Sequence, residues 1–142
     1  MIQPITFTAG GQRLVGALHH PADRRPPVVV GAHGLLGSRQ SGKQVALAEA
    51  CSAAGIAYLR FDHRGCGDSD PLTDGSDVLS ARVTDLTAAV AWVRGHPRLG
   101  DGLGLFGSSM GGAACLVAAP KCAPQAIVTW AAPVTSHGVV VQ

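Results

Sequence analysis

Charged side chains are scarce in this sequence. They make up 14% of 142 residues, and eleven Lys and Arg against nine Asp and Glu leave a net charge of +2. So weak a charge excludes a strong electrostatic case for nucleic-acid binding. Aromatic residues are few as well (three Phe, two Trp and one Tyr), so no stacking preference for a phenolic substrate can be read. Long hydrophobic runs are missing. The longest apolar stretch, Val28 to Leu36, holds a His and two Gly and falls short of the ~20 residues that a helix needs to cross a bilayer. Met1-Ile2-Gln3-Pro4 has neither a basic n-region nor an apolar h-region, so no secretory signal is expected. Cys51, Cys66, Cys115 and Cys122 have no CxxC spacing, and no His/Cys/carboxylate cluster has metal-ligand spacing. The expectations are reduced, buried thiols, no metal, no organic cofactor, no membrane partner and a soluble cytoplasmic protein.

Apolar residues, by contrast, make up 46% of the chain. That suffices for a core in a single domain over 1–142. Nineteen Gly and nine Pro without a G-X-Y period point to tight turns between short elements. Ile2 to Thr8 and Arg13 to His19 read as strands joined by a Gly10-Gly11 hairpin turn. Val28 to His33 is a β-branched run of the kind buried on both faces. A Gly-rich loop follows. A helix is then predicted over 43–54, with Leu47, Cys51 and Ala54 on one side, Ser41 and Gln44 at capping-box spacing, and Gly55 as the stop. Ile56 to Phe61 is a strand. Val78 to Arg94 is a helix whose Leu79, Val83, Leu86, Val90 and Val93 share a face. Gly102 to Gly107 is a strand, Met110 to Ala119 a helix and Gln125 to Ala132 a sixth strand. Strand–helix alternation of this kind predicts an α/β fold, a mostly parallel sheet with helices on both faces.

Gly107-Ser108-Ser109-Met110-Gly111 matches G-x-S-x-G, at a predicted strand-to-helix turn. A Gly-Ser turn that merely caps a helix would have the same letters. In the catalytic version the serine occupies a strained turn and the glycines allow backbones to approach. The hydroxyl then stands above the carboxyl end of the sheet, at a helix N-terminus that favours a developing oxyanion. His33-Gly34-Leu35 ends the third strand, so the expected oxyanion hole is the N–H of Met110 with the N–H of Leu35. His33 is read as a structural histidine orienting that loop.

The HG-L-LG loop at 33–37, FDHRGCGDSD at 61–70 and GSSMGG at 107–112 stand in an order that resembles the front half of an α/β hydrolase. The pattern is most similar to the branch with cinnamoyl and feruloyl esterases and serine aminopeptidase-like hydrolases. The resemblance implies Ser109 as nucleophile and Leu35 and Met110 as oxyanion donors, with Asp62, Arg64 and Gly65 in a structural loop. Asp62 is expected to pair with an arginine or cap a turn. In the superfamily an Asp or Glu and then a His follow the serine. After Ser109 this sequence has no Asp or Glu, and its sole histidine is His137, read as a solvated loop residue. His63 is expected near the active-site rim. The triad acid and base are thus not identified, and the chain reads as an incomplete domain ending after the sixth strand.

Three functional expectations follow. The first is a serine hydrolase of carboxylic esters, weak or inactive as this chain alone. The second is a peptidase or amidase of the same fold. The third is a non-catalytic remnant or binding module. A small-molecule ester or amide is the expected substrate, and self-association or a complementing C-terminal segment would cover the apolar edge.

Overall fold

The first two strands fold back on each other through a turn that only positive φ permits. β1 (Ile2–Ala9) and β2 (Gln12–His19) pair antiparallel, with Gly10 and Gly11 between them at φ +53° and +83°, as a two-residue hairpin requires. The computed structural model describes residues 1–22 and 24–133. Beyond the hairpin come β3 (Val28–Ala32), α1 (Gly42–Ala53), β4 (Ala57–Phe61), α2 (Val78–Arg94), β5 (Leu103–Ser108), α3 (Met110–Cys122) and β6 (Ala126–Trp130). The six strands form one sheet in the order β1-β2-β4-β3-β5-β6. β4, β3, β5 and β6 run parallel, and β2 joins β4 antiparallel.

Strand order decides the layers. The chain steps outward from β3 to β4, then returns past β3 to β5. With right-handed crossovers this reversal puts α1 on one face and α2 and α3 on the other. Register agrees. Val30 stands beside Leu59 and Leu105, and this set packs with Leu86 and Val90 of α2 and Ala114 and Ala118 of α3. The alternate residues Val29, Tyr58 and Phe106 instead point to the other face, where they line a groove together with Leu47 and Cys51 of α1. The same register brings Ala32 level with Gly107, so the carboxyl ends of β3 and β5 share one rim.

Local details depart from expectation in three places. Ser41 and Gln44 form no capping box. The Ser41 hydroxyl accepts from the Ser38 N–H, and Gln44 is buried with its Oε1 accepting from the Tyr58 hydroxyl at 2.7 Å. A polar residue already bonded to the sheet has no side chain left to cap a helix. For the same reason Gln44 and Ala48 form the deeply buried side of α1, Leu47 and Cys51 are half-buried, and Ala54 is exposed. α3 does not stop at Ala119. It runs through Pro120 to Cys122 and ends where Ala123 turns left-handed at φ +45°. All four cysteines are free, Cys115 and Cys122 buried and Cys51 and Cys66 half-buried. Burial pushes the Cys115 thiol up to about 12. Among the described residues no helix is long and apolar enough to cross a membrane.

Candidate active site

Ser109 joins β5 to α3 at φ +52° and ψ −120°, a conformation that side chains other than glycine rarely adopt. Its neighbours explain why the chain holds it there. A Cβ at position 107 would lie 2.4 Å from the Gly111 carbonyl oxygen. One at position 111 would lie 2.2 Å from that of Ala32 and 2.6 Å from that of His33. Strand, helix and the end of β3 thus meet at a spacing that only glycine allows. The Ser109 N–H donates to the Trp130 carbonyl at 2.8 Å, and its own carbonyl accepts from Gly112 and Ala113. Its side chain makes no capping bond and is exposed. A mere helix cap would have used that hydroxyl.

The His33-Gly34-Leu35 loop passes beside it. A Cβ on Gly34 would stand 3.8 Å from the Ser109 Cβ. Leu35 and Met110 are both half-buried, and neither backbone N–H donates to another group among the described residues. Unused donors beside an exposed hydroxyl are what a tetrahedral oxyanion needs.

His33 has both ring nitrogens in use. Nδ1 contacts the Gly34 carbonyl at 2.7 Å, and Nε2 accepts from the His63 N–H at 3.0 Å. These bonds fit a neutral ring with its proton on Nδ1. Burial lowers its pKa to about 4, although the bond to Gly34 acts the other way. His63 is not at the rim. It is fully buried, 4.9 Å from the His33 ring and 4.7 Å from the Phe61 ring, and burial lowers its pKa to about 3. Its Nδ1 lies 3.5 Å from Asp85 Oδ2, too far for a good hydrogen bond. The chain past β4 continues into the interior under the loop, which carries residue 63 away from solvent. His137 lies outside the described residues.

Asp62 pairs with Arg39 and accepts from the Arg39 and Asp68 N–H groups, so its carboxylate ties two loops together. Arg64, expected in the same structural loop, bonds Asp85 through its backbone and guanidinium. Burial opposes ionisation of Asp85, but contacts from His63 and Arg64 outweigh it and hold the carboxyl below its ordinary range. Lys43, at the start of α1, reaches Ser108 Oγ at 3.2 Å and lies 5.1 Å from the Trp130 ring centroid.

Sequence reasoning missed Arg82 and Asp85, which belong to the buried side of α2. The signal was their spacing: 82, 85, 86 and 89 follow steps of three, one and three, so both polar residues lie within the apolar stripe. Among the described residues no group of three His, Cys, Asp or Glu could hold a metal ion.

Residues 24–140 match the family described as serine aminopeptidase, S33. The chain belongs to this family of α/β hydrolases. Its relatives include the quorum-quenching protein AidA of Acinetobacter baumannii, 33% identical over 117 residues that make up 81% of this chain and 38% of that protein. Among solved structures, XC6422 of Xanthomonas campestris, an α/β serine hydrolase without a lid, superposes with a TM-score of 0.78 at 28% identity. That match covers 90% of this chain and 60% of XC6422. Est1E of Butyrivibrio proteoclasticus, solved with ferulic acid bound, shares the fold with a TM-score of 0.79 at 24% identity, over 87% of this chain and half of Est1E. The family member described here therefore spans 38% to 60% of the length of AidA and XC6422.

Proposed function

We propose that this chain carries the nucleophile and the oxyanion hole of a serine hydrolase that cleaves carboxylic esters. The observation that supports the reading best is the exposed Ser109 hydroxyl, held at positive φ beside the unused N–H groups of Leu35 and Met110. Ser109 Oγ attacks the ester carbonyl and its proton passes to a base. The carbonyl oxygen gains charge, which the two N–H groups stabilise. The carbon–oxygen bond to the alcohol then breaks as the leaving oxygen takes the proton. Water attacks the acyl-serine in the same way and releases the acid.

The base is not His33, whose nitrogens are occupied, and not His63, which is sealed in the interior. No other described histidine lies at this rim, and the sequence has no carboxylate after Ser109. Without a base a serine hydroxyl is a weak nucleophile. Binding and oxyanion stabilisation alone retain roughly a 10³–10⁴-fold advantage over water. Slow acylation is therefore the expectation for these 142 residues, and a base reaching Ser109 from a complementing segment or a second chain would raise it.

A fluorophosphonate probe tests the assignment. The wild-type chain should be labelled slowly and at Ser109, and Ser109→Ala should not be labelled. Hydrolysis of p-nitrophenyl acetate that survives Ser109→Ala undiminished overturns the reading. A folded wild-type chain that takes no label favours a scaffold retained without catalysis. Comparing p-nitrophenyl esters with aminoacyl p-nitroanilides separates esterase from peptidase.

A further inference from the structure

We propose that Arg82, on α2, is a positioning residue that aims the Leu35 N–H at the reacting oxygen. The proposal rests on Ser109 as nucleophile. Arg82 is 3% exposed, and among the described residues it makes no ion pair with a carboxylate. A buried cation without a counter-ion is costly unless its donors are met. Here they are met by one short stretch of backbone. Nη1 donates to the His33 carbonyl at 2.5 Å, and Nη2 lies 3.0 Å from the Gly34 carbonyl and 3.4 Å from that of Leu35. Nη2 also lies 3.9 Å from Cys66 Sγ. An apolar side chain on this helix face would pack without that cost, so the guanidinium's distinctive contribution is its hold on the loop.

Peptide geometry turns that hold into an orientation. The Gly34 carbonyl and the Leu35 N–H belong to one planar trans unit and point in opposite directions. Three donors converge on that oxygen: Arg82 Nη2, His33 Nδ1 at 2.7 Å and the Gly37 N–H at 3.0 Å. With the oxygen fixed toward α2, the Leu35 N–H must face away from it. The cation behind the carbonyls also polarises these peptides, which makes their N–H groups better donors.

Two variants test this. Arg82→Met keeps the apolar stem and removes the fork. Arg82→Lys keeps a charge that cannot span three carbonyls. Circular dichroism establishes that each is folded. Acylation of Ser109 is then timed with an ester and with its thionoester, whose sulfur gains little from N–H donors. Arg82→Met should slow the ester about ten- to hundredfold, short of or near the loss of a whole donor. The thionoester should slow much less, KM should stay unchanged, and Arg82→Lys should recover only part of the loss. A merely structural role lowers both rates together, and an unchanged ester-to-thionoester ratio overturns the proposal. If the wild-type chain is not acylated at all, the nucleophile reading fails separately. Amide exchange of Gly37 then decides for Arg82. Faster exchange confined to residues 34–38 in folded Arg82→Met upholds the clamp, and unaltered exchange overturns it.

Discussion

Two neutral histidines underlie the loop beside Ser109, and they make it sensitive to acid. The pKa of His33 is lowered to about 4 and that of His63 to about 3, chiefly by burial. In the unfolded chain both titrate near 6.5. Above that pH neither state binds the extra proton and the stability is fully present. Below it the unfolded chain takes up protons that the folded chain refuses, so each histidine removes about 1.4 kcal/mol per pH unit until its folded pKa is reached. Urea unfolding followed by fluorescence should therefore show a stability lower by a few kcal/mol at pH 5 than at pH 7. Equal midpoints at the two values would mean that the rings are hydrated. At this scale the positions proposed to react could be singled out in the sequence, because Ser109, Leu35 and Met110 are marked by glycine punctuation and the two backbone amides need no particular side chain. Arg82 and Asp85 were not legible in the same way. A charged residue in a helix is usually a solvated one, and nothing but its placement in the apolar stripe says otherwise.

The strand-to-helix junction is where elements store strain. Ser109 at φ +52° bears a cost of about 1–3 kcal/mol that any residue with a Cβ would share. Ser109→Gly should consequently be more stable than Ser109→Ala by about 1 kcal/mol, after the extra entropy of an unfolded glycine is counted. Thermal melts of the two variants measure this, and an equal or lower melting temperature for the glycine variant would show the turn to be relaxed. Element identity was legible because the periods differ: β-branched runs at 28–33, steps of three and four at 79–93. The ends were less so. Ser41 and Gln44 have the letters of a capping box, but Tyr58 competes for the glutamine from another part of the chain. The helix expected over Met110 to Ala119 runs on to Cys122 and tolerates Pro120 in its final turn.

Over the whole molecule, cover is uneven. α2 and α3 lie across one face, whereas α1 shields only part of the other. An apolar groove of about 400 Å³ stays open there, lined by Leu47, Cys51, Phe106, Val128 and Trp130 among others. β6 (AIVTW) contains no charge and no proline, and Val128 and Trp130 are 60% and 62% exposed. Among the described residues no strand pairs with its outer edge, and such an edge is a template for another copy. The sedimentation coefficient should rise with protein concentration, and Val128→Lys should hold it at the monomer value with little change in stability. A wild-type chain that stays monomeric at every concentration would refute pairing through this edge. Strand alternation foretold the order of layers, but not which face would lie bare, since that depends on where the crossovers reverse.

The main-chain bond from Ser109 to Trp130 links these scales. The backbone of Ser109, the proposed nucleophile, is moored to the rim of the sheet, where hydrogen bonds break most often. Every fraying of that margin loosens the mooring, so the Ser109 hydroxyl shares the thermal jitter of the least anchored ribbon. Whatever zips the margin shut would also steady this hydroxyl, and under the proposed mechanism an increase in turnover on association would need no new catalytic group.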